Sequence, residues 1–206
     1  MRTRHDVWAI GLQLFTQSQH PVSRNFGLTL VKEYLCGANS QVQARLELRN
    51  TLPQWLRYSI EQGQLSQEAP YLRAGVAHVL TLMIKCDYPE HWPTAFDELL
   101  DITAQGGEPA VDVMLQILKE MQDEIVTFSS TRTETEALHN TAIKDAMRAT
   151  NASERILALL YEVLSAPDRH TEEVVGRAIG ALQDFAVWVP INLIVNDQFI
   201  PLLYAF

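Results

Sequence analysis

Apolar side chains recur at helical spacing along nearly the whole chain. In 69–86, 109–127 and 171–187 they stand three, four and seven positions apart. This spacing places them on one stripe of an α-helix. We find no convincing alternating segment long enough for a β-strand, so the sequence predicts an all-α fold.

Proline and glycine mark where these helices begin and end. Pro21, Pro70, Pro109 and Pro190 stand at first turns, where a missing backbone N–H costs little. Pro53 falls inside a helical pattern and predicts a kink or a break near residue 50. The predicted helices are 4–17, 21–36, 41–60, 69–86, 91–104, 109–127, 133–149, 152–165, 171–188 and 191–206.

Short linkers make consecutive helices antiparallel neighbours, which pair into hairpins. Hairpins that open near residues 21, 69 and 109 are spaced by 48 and 40 residues. These spacings bracket the period of HEAT and armadillo repeats, about 40–47 residues. The predicted architecture is therefore an α-solenoid, an α-α superhelix of about five HEAT-like hairpins. A compact helical bundle is the alternative.

The ends of the sequence are apolar. Residues 199–206 carry no polar cap, and apolar side chains also begin within a few residues of Met1. Terminal repeats of a solenoid normally present a polar outer face. We therefore expect this sequence to be part of a longer protein.

The composition is that of a globular protein in a reducing compartment. Of the 206 residues, 47% are hydrophobic and 20% are charged. Two cysteines, Cys36 and Cys86, are too few for a disulfide framework. No segment approaches the run of about 20 apolar residues that a transmembrane helix needs, so we expect no membrane insertion.

The negative charge is concentrated in the second half of the chain. The formal net charge is −9, and residues 104–206 carry 7 basic and 15 acidic side chains. Phosphate contacts need Lys and Arg, so this half is poorly suited to direct nucleic-acid binding. A protein partner with a basic surface fits better, and a solvated acidic helix face is the alternative.

Motifs for catalysis are missing from the sequence. It holds no phosphate-binding glycine loop, no HExxH pair and no G-x-S-x-G segment, and its six histidines are scattered. We therefore expect a protein that is not an enzyme and that holds no metal and no cofactor of its own.

Three segments carry a resemblance to a known family. The string Tyr-Pro-Glu-His-Trp-Pro-Thr-Ala-Phe at 88–96 resembles a helix entry of the exportins, which are importin-β-like nuclear transport receptors. The segments 139–148 and 187–200 are similar to segments of the tRNA exportins, the exportin-T family. Weaker matches extend through the first 60 residues.

The resemblance implies two regions within one continuous solenoid. Residues 1–66 would be importin-β-like N-terminal HEAT hairpins, and residues 67–206 would be an exportin-1/importin-β-like HEAT region. The family has longer superhelices, so this chain would be an N-terminal part. Helices 41–60, 91–104, 133–165 and 191–206 would line the concave face, and helices 21–36, 69–86, 109–127 and 171–188 would be the outer ones.

The resemblance also implies a function. The family exports tRNA from the nucleus by binding it cooperatively with the small GTPase Ran in its GTP form. Such a receptor shuttles between nucleus and cytoplasm through nuclear pore proteins, and the only GTP involved is held by Ran. The alternatives are another exportin, which carries hairpin RNA or protein cargo, or a generic helical-repeat scaffold.

Candidate contact residues are basic side chains on expected inner helices. Arg45, Arg49 and Arg57 share one helix, whereas Lys144 and Arg148 stand four apart on another. We consider these five for contact with Ran or tRNA, although pairing of the last two with Asp145 or Glu136 is the alternative. Other residues that match family motifs are expected to be structural: Trp92, Asn140, Ile143, Asp145, Met147, Trp188, Asn196 and Asp197.

Overall fold

The computed structural model describes residues 7–37, 40–127 and 132–205, and these residues form helices without a β-strand. The α-helices are α1 Val7–Gln17, α2 Pro21–Cys36, α3 Val42–Glu61, α4 Pro70–Asp87, α5 Ala95–Gln105, α6 Gly107–Met121, α7 Glu134–Ala149, α8 Ala152–Ser165, α9 Glu172–Ala186 and α10 Phe199–Leu203. A π-helical turn, Gln122–Val126, follows α6, and 3₁₀ turns lie at Pro167–Arg169 and Ile191–Leu193. The predicted all-α class is confirmed.

Helix α3 continues through Pro53 without the predicted break. Leu52 and Leu56 beside it are both buried. Burying a leucine stabilises a fold by roughly 1.5–3 kcal/mol. That gain offsets the cost of an interior proline, about 3 kcal/mol.

The predicted helix over 191–206 is wrong for the residues that the structure describes. The side chain of Asn196 accepts hydrogen bonds from the backbone N–H groups of Gln198 and Phe199, each at 3.0 Å. Its amide also donates to the carbonyl of Leu193 at 2.9 Å. These local bonds replace helical ones, so the described part of this segment keeps only the 3₁₀ turn Ile191–Leu193 and the short helix α10. Residues 4–6 of the predicted first helix and residue 206 lie outside the described part.

The chain forms two compact units, residues 1–120 and 121–206. The division by family at residues 66 and 67 stays a prediction. In the first unit α2 packs beside α4, and α3 packs beside α5, while α1 contacts both α2 and α3. Helices α2 and α4 therefore lie side by side, as do α3 and α5, and the pairing of consecutive helices into hairpins stays a prediction. Helix α4 is central, because its side chains from Val79 to Ile84 are all buried.

Two glycines let α1 and α2 cross closely. A Cβ atom on Gly27 would lie 2.4 Å from the carbonyl oxygen of Gly11, and one on Gly11 would lie 2.6 Å from the carbonyl oxygen of Gly27. No side chain fits between backbones at this separation. The crossing therefore requires glycine at both positions.

The second unit is built around α8, which contacts α7, α9 and α10. Its buried stripe includes Ile156, Leu160 and Leu164, spaced four residues apart. Tyr161 packs edge-on against Phe199 with ring centroids 5.4 Å apart. Helix α10 is short, and this aromatic contact joins it to α8.

Candidate partner-binding surface

Arg45 lies at the start of α3 and is bound within the first unit. Its Nε donates to Oδ1 of Asp87 at 2.7 Å, and a terminal nitrogen donates to the carbonyl of Ser40 at 2.7 Å. The side chains of Arg45 and Asp87 are only 11% and 2% exposed. This buried ion pair ties α3 to the end of α4.

Arg49 follows one turn later and faces the same region. Its guanidinium donates to the carbonyl of His91, in the segment that leads into α5. Arg45 and Arg49 therefore hold α3 against the chain between Asp87 and His91. Both arginines are therefore bound to groups of the protein itself, and their contact with Ran or tRNA stays a prediction.

Arg57 is different because its side chain is exposed near the end of α3. Within the described residues no hydrogen bond or ion pair engages its guanidinium. It borders a shallow pocket whose other lining residues are Ile60, Glu61, Ile102 and Gln105. A guanidinium with unused donors suits a carboxylate or a phosphate.

Tyr58 beside Arg57 is a candidate that the sequence reasoning missed. Its side chain is 55% exposed, so its ring is available to a partner. Tyrosine and arginine are enriched among residues that dominate binding energy at interfaces. The position of Tyr58 directly after Arg57 is the signal that could have found it. We name Arg57, Tyr58 and the pocket beside them the α3 surface.

On α7, Lys144 and Arg148 differ in how their charged groups are engaged within the protein. Arg148 pairs with Asp145 and donates through Nε and a terminal nitrogen to the carbonyl of Trp188, at 3.2 and 2.7 Å. Its guanidinium also lies 5.6 Å from the centre of the Trp188 ring. Lys144 is half-buried, and no ion pair engages it within the described residues.

Glu136, the other possible partner of these cations, is bound at the start of α7. Its carboxylate accepts from the backbone N–H of Thr133, while the Thr133 hydroxyl accepts from the backbone N–H of Glu136. This reciprocal pair is a capping box. The spacing Thr-x-x-Glu predicts it, although the sequence reasoning treated Glu136 only as a possible ion-pair partner.

Four of the eight family-motif residues are buried. Ile143 and Met147 are completely covered and form the narrow inner stripe of α7 with Asn140, which is 2% exposed. Asn140 donates to the carbonyl of Glu124 at 3.5 Å. Trp92 is also 2% exposed and precedes α5. Their positions fit the expected structural role.

The remaining motif residues lie in the second unit at 188–197. Trp188 packs on Phe185 with ring centroids 4.9 Å apart and receives the guanidinium of Arg148. Asn196 closes the turn before α10, as described above. Asp197 is exposed beside a shallow pocket that includes Val195 and Ile200. The hydrogen bonds of this turn therefore belong to Asn196.

The described residues contain no group of three His, Cys, Asp or Glu side chains that could hold a metal ion. Over the same residues, no helix combines the length and the apolar character required to cross a bilayer.

Comparison with known proteins assigns the chain to a family. Residues 69–206 match the exportin 1-like protein family. Exportin-T of Dictyostelium discoideum is 31% identical over 199 residues, which cover 96% of this chain and 18% of that protein. Human Exportin-T is 30% identical over 162 residues, which cover 79% of this chain and 16% of that protein. Exportin-T of Podospora anserina is 24% identical over 98% of this chain and 20% of that protein.

The family match covers well over half of the chain, so the chain belongs to the exportin 1-like protein family. The resemblance to exportin-T seen in the sequence is confirmed, as is the HEAT-type helical class. The chain spans about a fifth or less of the length of the curated relatives described above. The contact roles of individual residues stay predictions.

Proposed function

We propose that this chain is part of a nuclear export receptor for tRNA. The observation that supports this most is the similarity to Exportin-T along 96% of the chain. In this proposal the receptor binds tRNA on the concave face of a HEAT superhelix and shuttles between nucleus and cytoplasm through nuclear pore proteins. It acts by binding alone, without catalysis or a cofactor, and the GTP belongs to its partner.

The partner in this proposal is Ran in its GTP form, and the α3 surface is where the described residues favour the contact. Arg57 offers unused donors and Tyr58 offers an exposed ring, as shown above. Arg45 and Arg49 are not part of this surface, because their guanidinium groups are bound to Asp87 and to the carbonyl of His91. If Ran-GTP favours tRNA binding, tRNA must favour Ran-GTP binding by the same factor.

Direct contact with tRNA is less suited to the second half of this chain, since residues 104–206 have a net charge of −8. Lys144 is the candidate there, because Arg148 is paired with Asp145. Most phosphate contacts of the receptor would then come from other parts of the protein.

Retention on immobilised Ran tests the proposal. The purified chain should bind Ran loaded with GTP and not Ran loaded with GDP. Arg57→Ala should weaken retention about tenfold, equivalent to about 1.4 kcal/mol, whereas Arg57→Lys should lose less. Arg177→Ala is the matched control, since Arg177 lies on α9 in the second unit, where it pairs with Glu173 at the surface. Equal or absent retention on both forms of Ran would contradict the proposal.

Competition between RNAs tests the cargo in the presence of Ran-GTP. Mature tRNA should displace a bound labelled tRNA from the complete receptor at lower concentration than a structured hairpin RNA. The reverse order would favour the hairpin-RNA alternative and refute tRNA as the preferred cargo.

A further inference from the structure

Helices α2 and α4 lie side by side and run in the same direction. Near their beginnings, Arg24 of α2 forms a two-bonded ion pair with Glu68, just before α4, with both distances at 2.8 Å. Further along, Leu28 lies level with Gly75, where a Cβ atom would be 2.8 Å from the Leu28 side chain. These contacts fix which stripe of each helix faces the other.

The two cysteines of the chain lie on these facing stripes. Asn25 of α2 also faces Gly75, because its Oδ1 lies 3.7 Å from the position of a Cβ atom there. The α2 stripe that starts at Asn25 returns after 4, 7 and 11 residues, and the last of these positions is Cys36. On α4 the same steps from Gly75 lead to Cys86. Cys36 is eight residues beyond Leu28, and Cys86 is eleven beyond Gly75. The thiols are therefore offset by about 4.5 Å along the helix axes.

The two thiols differ in their surroundings. Cys36 is exposed, whereas Cys86 is partly buried. Burial raises the pKa of the Cys86 thiol, an effect that the nearby Arg45 guanidinium opposes and the charge of Asp87 reinforces. The charge of Cys36, the last of the causes, also contributes to raising the pKa of Cys86.

We propose that Cys36 and Cys86 form a reversible disulfide between α2 and α4 when the chain meets a hydroperoxide. The exposed Cys36 thiolate attacks one peroxide oxygen, so that an S–O bond forms, the O–O bond breaks and hydroxide leaves. The Cys86 thiolate then attacks the sulfur of this sulfenic acid. The S–S bond forms, the S–O bond breaks and a second hydroxide leaves. Two thiols are oxidised, and hydrogen peroxide is reduced to two waters.

The position of Cys36 allows the approach that the bond needs. Disulfide geometry requires Cα atoms within about 4.4–6.8 Å, so the axial offset must shrink. Cys36 is the last residue of α2, and the final turn of a helix has carbonyl groups without intrahelical partners. The bond would require this turn to move toward α4. The bond then ties helices of neighbouring hairpins in the first unit, independently of the proposed export function.

Oxidation of the reduced chain by a small excess of hydrogen peroxide tests this inference. Mass spectrometry of the non-reduced digest should identify a Cys36–Cys86 peptide pair with the loss of two hydrogen atoms, in monomeric protein. Dithiothreitol should restore both thiols. In Cys86→Ala the same treatment should leave Cys36 as a sulfenic or sulfinic acid, which shows that Cys86 is the resolving thiol.

Circular dichroism checks that each variant remains helical, and Cys36→Ser supplies a second variant at an exposed site. In Cys36→Ser, Cys86 should resist oxidation at least tenfold longer than Cys36 does in Cys86→Ala. Two results would overturn the inference. One is a disulfide found only between chains, and the other is over-oxidation of Cys36 in the unaltered chain while Cys86 stays reduced.

Discussion

Replacing Gly27 by alanine tests the close crossing of α1 and α2. The added Cβ atom would lie 2.4 Å from the carbonyl oxygen of Gly11 and 2.8 Å from the backbone nitrogen of Phe15. Ordinary contacts of this kind begin at 3.4 Å, so the first of them is short by about 1 Å. Both neighbouring atoms belong to the backbone and cannot rotate away. The two helices must therefore move apart along their whole contact.

Two effects of opposite sign decide how much Gly27→Ala changes the free energy of unfolding. Alanine in a helix interior is favoured over glycine by about 1 kcal/mol. Overpacking a tight contact costs typically 1–3 kcal/mol, and more where a backbone must shift. We therefore expect Gly27→Ala to lower the free energy of unfolding of the first unit by about 2 kcal/mol.

Gly180 on α9 provides the matched control. It also lies inside a helix, but a Cβ atom there would have no neighbour within 4 Å. Only the propensity term remains, so Gly180→Ala should raise the stability of the second unit by up to about 1 kcal/mol. The pair of variants separates the steric effect from the intrinsic preference of alanine for helix.

Amide hydrogen exchange is the appropriate measurement, because two compact units can unfold separately and a single transition would mix them. A loss of 2 kcal/mol corresponds to exchange about 30-fold faster in α1 and α2. The reasoning is refuted if Gly27→Ala exchanges as slowly as the unaltered protein in these two helices.

The other predictions concern a buried ion pair, a helix cap and a thiol. Asp87→Ala should destabilise the first unit by about 3–5 kcal/mol in urea unfolding, because it leaves the buried Arg45 guanidinium unpaired; a loss below 1 kcal/mol would contradict this. Thr133→Ala should remove about 1 kcal/mol of local stability and speed exchange in the first turn of α7, whereas Thr135→Ala should change little. Burial raises the pKa of the Cys86 thiol in the folded chain. The protonated thiol therefore contributes stability that is fully present below the ordinary thiol pKa, about 8.5. This stability is lost as the pH rises through the higher pKa of the folded state. Alkylation of the Cys86 thiol by iodoacetamide should therefore reach half-maximal rate at higher pH in the folded chain than in urea.

The helices could be predicted because their signals are local. Helix α4 was expected over 69–86 and is found at Pro70–Asp87, since the apolar stripe and the proline at its start belong to the helix itself. The assignment of helices to an outer and an inner layer came from the family resemblance instead, because linker length does not determine it. These helix signals lie on residues that are close in the sequence, so the spacing of apolar side chains is sufficient to predict a helix.

Two features could not be predicted because competing effects are of similar size. The interior Pro53 is tolerated where both neighbouring leucines of its stripe are buried, and burial is a property of the tertiary fold. The apolar residues of 191–205 look helical by spacing, yet one side chain, Asn196, captures the backbone N–H groups that a helix would use. The hydrogen bonds of the Asn196 side-chain amide therefore decide that this segment is not one continuous helix.

The candidate contact residues show why a functional surface needs the structure. Arg45, Arg49 and Arg148 each reach a group 40 to 42 residues away in the sequence, and no spacing rule relates such positions. The guanidinium of each of these arginines donates hydrogen bonds to another group of the same protein. Recognition of a phosphate or a carboxylate depends on guanidinium N–H groups that remain available. Among the described residues, no hydrogen bond or ion pair engages the Arg57 guanidinium. Replacement of Arg57 therefore tests the partner contact directly. Replacement of Arg45 does not, because a loss of binding would then follow from a loss of the fold.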